Sequence, residues 1–153
     1  MREGPSGTGG ANPARPALTL VLPGVPPSLN VWRGHPQRVA RWHKAWRERT
    51  REAAYLARHN GAWDGQPWDP AWIVIRYCFA DRRRRDADNF PPKGILDGLR
   101  AAGVIVDDDF AHVAWAIEAG PVARPAVTVV QIGSGEGRTP AFGSRLAPAG
   151  GEV

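Results

Sequence analysis

The chain reads as a single α+β domain on one mixed or antiparallel sheet, in the order β-α-β-α-β-β. Three observations predict it. At 153 residues the chain is long enough to bury one core and too short for separate binding and catalytic domains. Short β-branched runs closed by Gly and Pro alternate with two stretches of helical periodicity. The two chain ends are rich in Gly and Pro and have little to bury, so residues 1–16 and 133–153 are expected to be disordered tails around a folded unit at 17–132.

The elements follow in order. Ala17 to Leu22 is a short strand closed by Pro23, Gly24, Pro26 and Pro27, and Ser28 to Pro36 is a loop. From Val39 to about Asn60, the apolar residues Val39, Trp42, Trp46, Ala53 and Ala57 recur at helical spacing. Arg38, Arg41, Lys44, Arg47 and Arg51 take the other faces, which gives a long basic amphipathic helix. Its tryptophans share the stripe of the alanines and are expected in the core. Trp72 to Phe79 is a largely buried strand. Pro91 and Pro92 suit the first turn of a second helix, Ile95, Leu96, Leu99 and Ala102 its buried stripe, and Gly103 its stop. Two strands, Ala111 to Glu118 and Ala126 to Ile132, complete the domain on either side of a Gly120-Pro121 break.

Composition narrows the function. The formal net charge is +5, and of 20 basic residues only Lys44 and Lys93 are lysines. Arginine's planar fork favours bidentate contact with phosphate, so an acidic partner is expected. The single cysteine, Cys78, excludes a disulfide framework and a thiolate zinc cluster, and the four histidines lack paired zinc spacings. No apolar run approaches the roughly 20 residues of a membrane helix, and a signal-type cleavage site is lacking, so a cytoplasmic protein with no membrane partner is expected.

The densest chemistry lies between Arg82 and Asp109. Arg82, Arg83, Arg84 and Arg85 suit a polyanion. Asp86 and Asp88 follow at i and i+2, which in an extended segment puts both on one side, able to share a hard divalent cation. Asp107, Asp108 and Asp109 come after a helix of about twelve residues, near 18 Å long, so the two acidic groups meet only if the chain folds back over the sheet. Gathered carboxylates repel one another unless a cation offsets them, and magnesium does so while retaining waters that can attack phosphorus. Lys93 could stabilise a phosphorane-like transition state or pair with Asp97 at i+4. Asn89 could orient a ligand or cap the second helix.

These residues resemble the RusA family of Holliday-junction resolvases, magnesium-dependent endodeoxyribonucleases. The resemblance rests on Leu22 to Asn30, L-P-G-V-P-P-S-L-N, on a basic helix, on R-R-R-R-D-A-D-N (Arg82 to Asn89), and on the distal Asp107-Asp108 pair. It implies Asp86, Asp88 and Asp108 as metal ligands, Lys93 as the catalytic lysine, Asp107 as a supporting acid, and the arginine run as DNA contacts. Lys93 stands five residues after Asp88, one more than the family spacing. The likeness further implies Mg2+, with Mn2+ as an alternative, and a homodimer that makes paired symmetric nicks in a four-way junction during recombination and repair. Arg41 and Lys44 on the basic helix would add phosphate contacts. Two other readings remain at this level: a non-catalytic basic DNA-binding module, and a related nuclease acting on other branched or phage DNA. A glycosyltransferase using the aspartate pair to hold a metal-nucleotide complex lacks room for its usual nucleotide-binding domain.

Overall fold

The computed structural model describes residues 15–135. Of the expected tails at 1–16 and 133–153, residues 1–14 and 136–153 lie outside the described residues. Within them, the strands are β1 (Leu18–Pro23), β2 (Ala71–Cys78), β3 (Val113–Ala119) and β4 (Val127–Ser134), and the helices are α1 (Pro36–His59) and α2 (Lys93–Ala102). The order β1-α1-β2-α2-β3-β4 is an α+β fold on a mixed four-stranded sheet, with strands arranged β1-β4-β2-β3.

Both inner pairings of β4 are antiparallel, with β1 and with β2, whereas β3 lies parallel to β2 after the α2 crossover. Alternation does the sorting. Leu18, Leu20 and Leu22 of β1, Ile73 and Ile75 of β2, and Val130 and Ile132 of β4 share one face and are buried against the two helices. β1 and β3 are left as the sheet edges.

Helix α1 begins at Pro36, three residues earlier than its apolar stripe suggested, because proline is well placed in a first turn, where its missing N–H leaves no bond unmade. Its buried line is Trp46, Thr50, Ala54 and Ala57, with Val39, Trp42 and Ala53 at the margin. Thr50 is tolerated there because its hydroxyl donates to the Trp46 carbonyl at 2.8 Å. This line faces Gly94 and Gly98 of α2. A Cβ on Gly94 would lie 2.8 Å from the His43 carbonyl oxygen, and one on Gly98 would lie 2.6 Å from that of Arg47. The two bare positions, four apart on one helical face, let the helix axes approach more closely than side chains would allow.

Two boundaries differ from expectation. β4 runs to Ser134, and Gly133 packs against the Trp72 ring, so the folded unit extends past Ile132. At the other end, Arg15 belongs to the fold: its guanidinium lies 3.6 Å over the Trp68 ring and bonds Asp64 and the carbonyls of Gln66 and Pro67. No helix among the described residues is long and apolar enough to cross a membrane.

Candidate nucleic-acid interface and acidic sites

Beyond Cys78 the chain leaves the sheet, and three aromatic rings shape its path. Phe79 meets Phe90 edge-on at 5.3 Å between centroids, and the Tyr77 hydroxyl donates to the Phe90 carbonyl at 3.0 Å, which folds the loop back over the end of β2. Burial pushes the Tyr77 hydroxyl's pKa well above its ordinary value, so it stays a donor. Arg85 lies over the Phe79 ring at 4.1 Å and reaches Asp81 at 2.8 Å. Asp81 also accepts the Arg83 backbone N–H at 3.0 Å; that bond first, then the Arg85 side chain, holds its carboxyl below the usual range. Asp81 thus organises the arginine run, a role the sequence reading missed although an aspartate two residues before Arg83 is a common turn former.

The remaining arginines point outward. The side chains of Arg83 and Arg84 are 80% and 92% exposed, and Arg82 is exposed with no ion pair among the described residues. Beside them opens a cleft of about 350 Å³, bounded by Phe79, Phe90, Arg83, Arg85, Asp86 and, across the end of β3, Ala119 and Gly120.

The aspartate pair is not the extended pair expected. Asp86 has extended backbone angles and stands just before a turn of 3-10 helix at Ala87–Asn89, so Asp88 lies in that turn and not in the same extended segment. Asp86 lies 3.6 Å from Arg84, whereas Asp88 is exposed and makes no ion pair or side-chain hydrogen bond among the described residues. Asn89 does not cap α2, which begins at Lys93 with Pro92 before it; its own N–H bonds the Asp86 carbonyl. Lys93 takes the i,i+4 partner, its Nζ 3.3 Å from Asp97. Behind them, His43 is held below its ordinary pKa by burial first and by the Lys93 charge second, and Asp97 opposes both.

The second acidic group forms a turn that launches β3. Asp107 accepts the Asp108 N–H at 2.8 Å, and Asp109 accepts the N–H groups of Ala111 and His112 and pairs with the His112 ring. The Asp108 N–H, ahead of Arg100, keeps the Asp107 carboxyl below its usual range, and Asp109 raises the His112 pKa. Arg100, in the last turn of α2, lies 3.6 Å from Asp107 and 3.7 Å from Asp108.

The two groups sit at opposite ends of the sheet. Asp109 bonds through its carbonyl to Val113, which pairs with Ala71, and Asp86 lines the cleft beside Ala119, which pairs with Tyr77. Six residues of strand, about 20 Å, separate these pairings. The expected convergence of Asp86, Asp88 and Asp108 is therefore not formed within one chain, because the parallel crossover returns the chain to the start of β2 rather than to its end. Among the described residues the group of three whose ligand atoms lie within 4.8 Å of one another is Asp107, Asp109 and His112. Its imidazole suits transition metals better than magnesium, and the turn's own hydrogen bonds account for it without an ion. Among the described residues of a single copy, three carboxylates fit for magnesium are not assembled.

Arg41 and Lys44 are exposed on α1, with no ion pair among the described residues, while Arg47 and Arg51 pair with Glu48. Comparison with protein-family models and with curated proteins found no match to this chain.

Proposed function

We propose that the protein is a magnesium-dependent, structure-selective endodeoxyribonuclease that resolves four-way DNA junctions as a homodimer, with each metal site shared between two copies. The observation that carries this reading is the position of the two acidic groups at the two ends of β3, an edge strand paired with β2 on one side and with no strand on the other among the described residues. Its sequence, Val-Ala-Trp-Ala-Ile-Glu-Ala, carries one charge, and Trp115 on it and Phe110 beside it are exposed. A long, nearly uncharged edge is a template for strand pairing.

Antiparallel pairing of β3 with β3 of a second copy reverses the ends. The turn holding Asp108 of one protomer then stands beside the Asp86 cleft of the other, and the two-fold axis generates two such places. Separation within the chain thus becomes proximity between chains. Asp86 and Asp88 with the partner's Asp108 would hold the ion; magnesium bound there supplies charge stabilisation at the phosphate and an acidified water. Arg82 to Arg85, with Arg41 and Lys44, would neutralise backbone phosphates, and Lys93, freed from Asp97, could reach a leaving oxygen. Two matched sites suit paired nicks in a nearly two-fold junction.

One observation favours a second reading. Because a single copy leaves its carboxylates apart, a basic DNA-binding module without catalysis would need only the arginine face. The assay that separates the two uses synthetic four-way junctions, linear duplex and flaps, each with magnesium or with excess chelator. Symmetric cutting of the junction that needs magnesium supports the nuclease; tight, salt-sensitive binding with no metal-dependent cutting supports the module.

A further inference from the structure

We infer that the cleft at the end of β2 and β3 accepts a single nucleobase turned out of the DNA beside the cleavage point, a specificity pocket that rests on the nuclease reading above. Its volume, about 350 Å³, falls at the low end of the roughly 300–1,000 Å³ typical of small-molecule sites. Its wall is built for a flat ring. The Arg85 guanidinium already stacks on Phe79 and is fixed in that plane by Asp81, so its outer face is a preformed platform. Phe79 and Phe90 brace each other edge-on behind it, and Tyr77 is pinned to the same loop, so the platform is held from three sides.

Charge argues against a phosphate inside the cleft. Asp81, Asp86 and Glu118 all line it together with Arg82, Arg83 and Arg85. A phosphate inside would meet Asp81 and Asp86 among the arginines, with Glu118 already held by Arg76 at 2.6 Å, whereas the guanidinium groups of Arg83 and Arg84 are open to solvent, each with one carboxylate partner. A base edge carries donors and acceptors and suits a mixed lining. The backbone would therefore run over the outer arginines while one base enters. Asp86 belongs both to the cleft and to the proposed metal site, which puts the bound base next to the phosphate to be cut.

The test needs binding only. Junctions carrying one abasic position at a time around the branch point are titrated in chelator against the wild-type protein and against Val122→Trp, which fills the cleft from its rim, with Val122→Ala as the open control. The expected result is one position at which base removal weakens wild-type and Val122→Ala binding about ten-fold, as for loss of a stacked base. Val122→Trp should bind the intact junction about ten-fold more weakly and show no further loss at that position. Binding that ignores every base removal would overturn the pocket and leave the nuclease reading standing. A base dependence that survives in Val122→Trp would also overturn it. Base dependence abolished by Val122→Trp, in a protein that never cuts with magnesium, would sustain the pocket and sink the nuclease; failure to bind junctions would end both.

Discussion

The guanidinium of Arg100 lies 3.7 Å from the carboxylate of Asp108, the distal aspartate of the proposed metal site. Arg100 thus occupies, in the isolated chain, part of the electrostatic place that a cation would take. The pair is half-exposed, so its strength is modest. Replacing Arg100 with Met should lower the magnesium concentration needed for half-maximal junction cutting by about two- to five-fold, the range of an exposed ion pair. A higher requirement would mean that Arg100 assists the metal or DNA.

The exposed arginines give a prediction about salt. Changing Arg83 and Arg84 together to Ala should weaken junction binding and reduce the slope of log affinity against log salt by about 2, one for each lost phosphate contact. Binding titrations at several salt concentrations measure it. An unchanged slope would remove the pair from the DNA surface.

Close helix packing predicts a stability cost. Gly98→Ala puts a Cβ 2.6 Å from the Arg47 carbonyl oxygen and 2.7 Å from Thr50 Cβ, so α2 must move away from α1. Denaturant unfolding should show a loss of about 1–3 kcal/mol, the usual cost of overpacking. Gly103 has open space around it but sits at φ +84, so its replacement by Ala strains the backbone instead.

The turn before β3 predicts a pH dependence. Asp109 raises the His112 pKa above its ordinary 6.5. Folding therefore gains from this contact fully when pH is below 6.5, and loses the gain as pH rises through the folded value. Asp109→Asn keeps the acceptor for the backbone N–H groups and removes the charge. NMR titration should find His112 above 6.5 in the wild type and lower in the variant. The wild type's stability advantage should be present near about pH 5 and vanish by about pH 9. An identical His112 titration in both proteins would refute the pairing.

Local signals carried much of the fold. The β-branched run through Ile73, Val74 and Ile75 announced β2, Gly103 announced the end of α2, and Pro23 closed β1, because in each case the residue type limits its own backbone. Sequence spacing could not show that β3 would lie parallel beside β2, at the sheet edge, since that choice is made by tertiary packing of α2. From that one crossover follows the separation of Asp86 from Asp108. The 3-10 turn at Ala87–Asn89 was equally hidden, because the D-A-D-N run suits an extended segment or a turn with little difference in local energy. Gly94 and Gly98 were readable in principle as two bare positions four apart in a helix, yet their purpose depends on α1 lying against them.

Subunit complementation tests the shared metal site most directly. Asp88→Asn and Asp108→Asn should each abolish cutting alone while retaining junction binding. Co-refolded in equal amounts, they form mixed dimers in which one site receives both substitutions and the other receives neither, so nicking should return to about a quarter of the wild-type level. If the mixture stays as inactive as its components although mixed dimers form, the aspartates do not meet across the two-fold axis, and the proposed hydrolytic centre is not the one described.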